Sequence, residues 1–168
     1  MKKIVLSGGP GSGKTSLIQG LKNRGFHCFD EVSRKLINSM KITTSFKPLD
    51  FEENVFNLRK KDFLNSSYEL QFFDRSIIDN LAYLKKNKQA IPQHFEFDCK
   101  KLRYYPIVFI APPWQSIYLN DNERIESFEE AQEIHQYLCQ TYSEYNYQLL
   151  YLPKGNIEER IEFILSKI

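Results

Sequence analysis

Residues 6–17 read LSGGPGSGKTSL and contain the spacing Gly-x-x-x-x-Gly-Lys-Thr, which is typical of a phosphate-binding loop. An apolar run at residues 3–7 (KIVLS) predicts a buried strand before the loop, and residues 15–24 predict an amphipathic helix after it. This order of strand, glycine-rich turn and helix is the context in which the spacing is a specific signal. The sequence therefore predicts that a phosphorylated ligand binds here, and leaves open what the protein does with the phosphate.

Each part of this loop has its own role towards a triphosphate. Glycine backbones, that of Gly9 among them, can curl until several N–H groups face an anion, and the following helix adds the positive end of its dipole. We expect Lys14 to reach the β- and γ-phosphates and the hydroxyl of Thr15 to bind Mg²⁺. ATP and Mg²⁺ are therefore the expected ligands of the loop.

Length and composition limit the class of protein. The chain has 168 residues, which suits one domain over residues 1–168, and its formal charge of +2 gives no push towards nucleic acid. The wide spacing of Cys28, Cys99 and Cys139 argues against a zinc site and against a disulfide framework. The apolar run near the start is too short for a signal peptide or a membrane span. We expect a cytoplasmic protein without nucleic acid or membrane partners, and its oligomeric state stays open.

Strand and helix patterns alternate along the whole chain. Further strands are predicted at residues 26–29, 69–73, 106–111 and 148–152, and helices at residues 31–40, 51–65 and 77–86 and after the capping-box patterns Ser127-x-x-Glu130 and Asn156-x-x-Glu159. Short, continuously apolar strands are typical of a parallel sheet that is covered on both faces. The predicted fold class is α/β, a three-layer sandwich with about five strands.

Charged residues follow two of the predicted strands, and ligands collect at the carboxyl ends of parallel strands. Asp74 is suited to hold a Mg²⁺-bound water, and Arg75 to contact the acceptor or its phosphate; an ordinary surface ion pair is the alternative. Glu31 is suited to accept the proton of a substrate hydroxyl, or else it favours the start of the next helix. Asp30 has the same two roles open to it, with the weaker claim to function.

The irregular polar segment near residues 112–127 lies where a lid would close over the phosphates. Arg124 is expected to supply positive charge to the transferring phosphoryl group, or else it is a solvated loop arginine. Arg34 and Arg103 have weaker claims. Trp114 is expected to pack in the core or the lid rather than to stack on a base.

Other classes of phosphate-loop protein carry motifs that this sequence lacks. The Asn-Lys-x-Asp and Asp-x-x-Gly motifs of GTPase switches do not occur, and the nearest text is Asn-Lys-Gln-Ala at residues 87–90. The extended apolar strand ending in Asp-Glu that motor ATPases carry is also missing. ATP is therefore favoured, although GTP is not excluded. A small-molecule kinase with a nucleoside-like acceptor is the favoured class, and a nucleotide-dependent binding or signalling protein without an acceptor is the alternative.

Five segments together resemble a known family: IVLSGGPGSGKT at residues 4–15, DEVSR at 30–34, FFDRSIID at 72–79, DNERIESFEEA at 121–131 and LPKGNIEERIEFIL at 152–165. In this order they resemble the AAA-labelled ATPase and kinase family that includes the nicotinamide riboside kinase domains of NadR-like proteins. The resemblance implies a P-loop kinase fold with strand order 2-3-1-4-5, and ATP bound with Mg²⁺. It also implies an adenine pocket built in part by the turn at Pro153.

The resemblance further implies roles for individual residues. The phosphates would contact a continuous stretch of the loop: Gly11, Ser12, Gly13, Lys14, Thr15 and Ser16. Glu31, Asp74 and Arg75 would act on the acceptor side of the site, and Arg124 would belong to the lid.

Overall fold

Five parallel strands form the central sheet of the computed structural model, which describes residues 1–33, 36–37, 48–118 and 126–168. The strands are β1 (Lys2–Ser7), β2 (His27–Phe29), β3 (Leu70–Asp74), β4 (Ile107–Ile110) and β5 (Gln148–Tyr151), in the spatial order β2-β3-β1-β4-β5. Because every neighbouring pair is parallel, all five carboxyl ends lie at one edge of the sheet. The predicted α/β class and the implied strand order 2-3-1-4-5 are confirmed.

The helices with assigned bounds are α1 (Lys14–Asn23), α2 (Pro48–Asn65), α3 (Ile77–Lys86), α4 (Gln93–Lys101), α5 (Phe128–Glu144) and α6 (Ile157–Leu165), and a 3₁₀ turn at Gln115–Ile117 follows β4. Residues 34, 35 and 38–40 of the helix predicted over 31–40 lie outside the described residues. No sequence pattern predicts α4, because only Phe95, Asp98 and Cys99 of its residues are buried. Within the described ranges, no helix is both long and apolar enough to cross a membrane.

The sheet separates two apolar clusters, and successive residues of β1 contribute to both. Ile4 and Leu6 belong to the cluster that includes Leu17 of α1 and Ile161 of α6. Val5 belongs to the other cluster, which is built largely from α2, α3, α4 and α5. This alternation is the side-chain period of a strand. Both faces of the sheet are therefore covered, as continuously apolar strands predict.

Capping boxes fix where three helices begin. The two predicted from the sequence are present, at Ser127 before α5 and at Asn156 before α6. A third stands before α3, where the N–H of Ser76 donates to Oδ2 of Asp79 at 2.9 Å. Since α3 begins at Ile77, Arg75 lies in the short turn between β3 and α3 and Asp74 is the last residue of β3, both at the carboxyl edge of the sheet.

Candidate nucleotide and acceptor site

A cavity of about 750 Å³ opens at the carboxyl edge of the sheet, which is a size typical of a small-molecule site. Residues 10–16, in the middle of the sheet edge, line it together with residues from both sides. The β5 side provides residues 155–157 and Arg160, and Trp114 and Ile117 come from the segment after β4. The β2 and β3 side provides charged and aromatic residues: Glu31, Phe51, Glu52, Arg59, Arg75 and Tyr83.

The phosphate loop passes directly into α1 through a glycine. Gly13 is the N-cap of α1 and has a left-handed backbone with φ of 78°, a conformation that L side chains rarely adopt. Because glycine has no side chain that could cap the helix, the first N–H groups of α1 are left for an anion. The loop thus has the local structure that its sequence predicts.

Lys14 is buried within the loop, with 5% of the residue exposed. Its Nζ donates hydrogen bonds to the carbonyl oxygens of Gly8 (2.8 Å) and Gly9 (2.7 Å) and to Oγ of Ser12 (3.0 Å). Burial, together with the Arg75 cation, lowers the pKa of Lys14 to about 7. A phosphate beside Lys14 would favour its charged form, because an opposite charge raises the pKa of an amine.

Glu31 and Arg75 form an ion pair on the cavity surface, with 2.6 Å between Oε1 of Glu31 and Nε of Arg75. The hydroxyl of Ser33 donates to the same carboxylate oxygen at 2.6 Å, and Nη2 of Arg59 lies 3.7 Å from it. Burial opposes ionisation of Glu31, but the surrounding cations, Arg75 first among them, lower its pKa to about 2. Glu31 is therefore a carboxylate at neutral pH.

Arg75 is fixed between the cavity and the interior. Its backbone N–H donates to the carbonyl of Leu6 at 2.9 Å, and its φ of 74° lies in the left-handed region, which costs free energy for any residue but glycine. Its Nη1 donates to Oδ1 of Asp79 at 3.2 Å, and the guanidinium lies 5.5 Å from the centre of the Tyr83 ring. Arg75 is thus buried and pairs with Glu31 and Asp79, and its role towards an acceptor stays a prediction.

Asp79 is fully buried beneath Arg75 and is a residue that sequence reasoning missed. Its carboxylate accepts hydrogen bonds from the Ser7 hydroxyl (2.6 Å), the Ser76 N–H (2.9 Å) and the Tyr142 hydroxyl. These donors come from β1, the start of α3 and α5. Asp79 therefore ties three elements together while it positions the guanidinium that meets Glu31.

Asp74 ends β3 and is 5% exposed. Its Oδ1 is buried and has no hydrogen-bond donor among the described residues. Burial, and then repulsion from Glu31, raises the pKa of Asp74 to about 6. A buried carboxylate oxygen that lacks a donor fits a hard cation or a water bound to one.

Thr15 lines the cavity at the start of α1, whereas Asp74 ends the neighbouring strand β3 and is not a lining residue, so the Mg²⁺ site at Thr15 and Asp74 stays a prediction. In the part of the chain that the structure describes, no group of three or more His, Cys, Asp and Glu side chains could hold a metal. Proteins bind Mg²⁺ through one or two carboxylates together with substrate phosphates and water.

The other residues predicted to bind the nucleotide differ in whether they line the cavity. Gly11, Ser12, Gly13 and Ser16 line it, whereas Gly9 contributes its carbonyl to Ser12 and Lys14. Pro153 is exposed and is not among the lining residues, and the adjacent residues 155–157 line the cavity instead. Trp114 lies on the cavity surface.

Among the weaker candidates, Asp30 forms an ion pair with Lys22 at 2.5 Å and is not a lining residue. Arg103 donates to the carbonyl of Tyr145 at 2.8 Å and lies 4.1 Å from the centre of the Tyr147 ring. Since Arg103 precedes β4, it lies at the amino edge of the sheet, away from the cavity. Arg34, Arg124 and the rest of residues 119–125 in the predicted lid lie outside the described residues.

A buried polar chain on the acceptor side also escaped sequence reasoning. Nη1 of Arg59 donates to Oδ1 of Asn80 at 2.8 Å, and Nδ2 of Asn80 donates to Oε2 of Glu52 at 2.7 Å. Burial raises the pKa of Glu52. Glu52 and Arg59 are seven residues apart on α2 and so share one helix face. That spacing is visible in the sequence, but nothing in the sequence places the face on the cavity.

The fold and the site define an α/β protein with a P-loop and an acidic and basic pocket beside it. The sequence profile of the AAA domain family matches residues 3–160, and the chain belongs to this family. No curated protein sequence matches the chain.

Solved structures with this fold include several kinases. A deoxyadenosine kinase from M. mycoides has a TM-score of 0.71 and 16% identity, with 98% of this chain and 97% of that chain covered. NadR in complex with NR has a TM-score of 0.72 and 19% identity, and this chain spans 99% of its own length but 52% of NadR. Thymidylate kinase from Candida albicans has a TM-score of 0.69 and 16% identity, with 98% and 89% covered. The likeness shows a shared fold, and with the family match it confirms the resemblance stated above.

Proposed function

We propose that the protein is an ATP-dependent kinase that transfers a phosphoryl group to a hydroxyl group of a small, nucleoside-like molecule. One observation carries the proposal: a single cavity is lined both by the phosphate loop and by an ionised carboxylate, Glu31, that a buried arginine holds in place. Solved proteins of the same fold are named as kinases of deoxyadenosine, a nucleoside, and of thymidylate, a nucleotide, which supports a nucleoside-like acceptor.

The loop and α1 bind the nucleotide in this proposal. Backbone N–H groups of residues 11–16 and the ammonium of Lys14 bind phosphate oxygens, and Thr15 and Asp74 are the residues that would hold Mg²⁺. ATP would supply the phosphoryl group and leave as ADP, and bound Mg²⁺ would neutralise charge on the phosphate oxygens. Catalysis of phosphoryl transfer is mostly positioning and electrostatic stabilisation.

On the acceptor side, Glu31 accepts the proton of the attacking hydroxyl at Oε1 or Oε2. With a pKa of about 2 it is a weak base, so it orients the hydroxyl first and takes the proton late in the transfer. This order suits a loose transition state, in which the bond to the nucleophile forms late. Arg75 keeps Glu31 ionised, and Arg124 from the lid adds positive charge.

The cytoplasmic location stays a prediction.

A panel of nucleosides and sugars incubated with labelled ATP tests the proposal. We expect at least one hydroxyl compound to become labelled. ATP hydrolysis at a rate that no acceptor changes would instead support the alternative of a nucleotide-dependent binding protein.

Glu31→Gln tests the role of the carboxylate once an acceptor is found. Removing a general base typically lowers kcat by about 10²- to 10⁴-fold, and we expect a loss in this range. Asp30→Asn is the matched control, because Asp30 is the adjacent acid and pairs with Lys22 rather than with the cavity arginines. Phosphoryl transfer that survives Glu31→Gln at the wild-type rate would remove Glu31 from the mechanism.

A further inference from the structure

Arg160 projects from the first turn of α6 into the cavity, although its helix lies beyond the last strand. The residue is 3% exposed, and it lines the cavity together with residues 155–157 at the start of the same helix. Sequence reasoning missed it, because position 160 lies inside an amphipathic helix among apolar neighbours that pack in the core.

The guanidinium of Arg160 lies against the phosphate loop. Its Nη2 donates to the carbonyl oxygen of Ser12 at 3.2 Å, and Nη1 lies 2.9 Å from the place where a Cβ on Gly13 would stand. Nε is buried and has no acceptor among the described residues. Among the described residues, the carbonyl of Ser12 is thus the hydrogen-bond acceptor of the Arg160 guanidinium.

Arg59 and Arg75, the other two described arginines that line the cavity, have different partners. Arg75 pairs with Glu31 and Asp79, and Arg59 donates to Asn80 and lies near Glu31. Arg160 forms no ion pair within the described ranges. Burial lowers its pKa, but arginine stays protonated in proteins, so a positive charge is held beside the loop with no matching anion among the described residues.

A buried cation without a counter-charge costs free energy of folding. A neutral side chain could donate a hydrogen bond to the Ser12 carbonyl at a lower cost of desolvation. An anion brought to the loop would supply the missing counter-charge. Ser12 and Gly13 belong to the segment whose N–H groups are arranged for phosphates, and guanidinium groups bind phosphate oxygens with charge-assisted hydrogen bonds.

We propose that Arg160 is a second phosphate-binding cation, which holds the polyphosphate of a nucleoside di- or triphosphate from α6 while Lys14 holds it from the loop. The proposal rests on the proposed function for the kind of ligand. Residues 155–157, just before and at the start of α6, line the adjoining part of the cavity.

The test measures binding in the absence of any acceptor, by calorimetry with ATP and with inorganic tripolyphosphate. Arg160→Met removes the charge and keeps an apolar stem of similar length. A hydrogen bond to a charged group is typically worth about tenfold or more in affinity, so we expect both ligands to bind Arg160→Met at least about 10-fold more weakly. Arg160→Lys keeps the charge and is expected to lose less than Arg160→Met does.

Arg24→Gln is the matched control. Arg24 also joins α1 to α6, through Glu158 and Glu162, but it lies on the outer surface and does not line the cavity. We expect the control to bind both ligands within about twofold of the wild-type protein, because an exposed ion pair contributes little. The melting temperature of each variant without ligand is measured alongside.

A phosphate-binding role predicts that Arg160→Met weakens both ligands while its ligand-free melting temperature is unchanged or raised, because an unmatched buried charge has been removed. Unchanged affinity in Arg160→Met would overturn the proposal. A second result would also overturn the proposal: Arg160→Met has a lower ligand-free melting temperature, and Arg24→Gln shows the same loss of affinity. That result would mark a purely structural contact between α1 and α6. Failure to find any phosphate acceptor would refute the kinase function but leave this comparison of affinities intact.

Discussion

Asp74 offers the sharpest test of the site, because its carboxylate destabilises the protein in the absence of a cation. The group is buried, its Oδ1 has no donor among the described residues, and repulsion from Glu31 adds to the cost of ionisation. Asp74→Asn keeps the shape of the side chain and removes the charge. We therefore expect the variant to be more stable than the wild-type protein and to lose Mg²⁺-dependent activity.

The sign and size of this effect follow from the pKa of Asp74, which rises from 3.8 to about 6 on folding. A raised folded-state pKa gives stability that is fully present below 3.8 and is lost as the pH rises through 6. The penalty is on the order of 1–2 kcal/mol at pH 5 and about 3 kcal/mol at pH 7. Asp74→Asn should escape it, so its advantage in free energy of unfolding should grow by about 1 kcal/mol from pH 5 to pH 7.

Urea unfolding of both proteins at pH 5 and pH 7, without nucleotide or Mg²⁺, measures this difference. Asp79→Asn is the control with the opposite sign. Its carboxylate accepts hydrogen bonds from Ser7, Ser76 and Tyr142, so the same substitution there should lower the free energy of unfolding by about 2–4 kcal/mol. An Asp74→Asn variant that is less stable than wild type at pH 7, or whose advantage does not grow with pH, would refute the reasoning.

Three further predictions concern the loop and the residues behind it. The pKa of Lys14 is about 7 without nucleotide, so ATP binding should take up about 0.9 proton per Lys14 at pH 8 and almost none at pH 5.5. Calorimetry in buffers of different ionisation enthalpy measures this proton uptake. Equal uptake at both pH values would contradict the pKa assigned to Lys14. Gly11→Ala should weaken ATP binding, because a Cβ would run into the Tyr118 ring, whereas Gly25→Ala shares the positive φ but has open space and should cost only about 1–2 kcal/mol of stability. Tyr142→Phe should lower the free energy of unfolding by about 1–3 kcal/mol, because Asp79 loses a donor, while the KM for ATP stays within about twofold; a changed KM with unchanged stability would argue against this structural role.

Local patterns were sufficient for most of the secondary structure. The capping boxes at Ser127 and Asn156 mark the start of α5 and α6 because the signal is contained within four residues. The predicted strands appear within one or two residues of their expected bounds, since a continuous apolar run between turns has few other ways to be buried. Helix α4 was beyond such reasoning, because its sequence has few apolar positions that repeat at helical spacing.

In the candidate site, too, the residues that form a local motif could be predicted from the sequence, and the contacts between distant residues could not. Residues 8–16 could be assigned from the sequence because the motif carries its own backbone conformation and its own helix terminus. Glu31 and Arg75 could be named as candidates because parallel strands share one carboxyl edge, but their 2.6 Å ion pair could not be foreseen. That contact depends on how β2 and β3 are set side by side.

The sequence by itself determined that a phosphate-binding loop stands between the first strand and a helix in a parallel α/β protein, because that motif is local and complete within a dozen residues. Tertiary structure alone decided which distant side chains meet the loop. Asp79 is buried under Arg75 by the packing of α3 on α5, and Arg160 reaches Ser12 across 148 positions of the chain. Contacts between residues so far apart in the sequence depend on how the helices pack on the sheet, and no local sequence pattern predicts that packing.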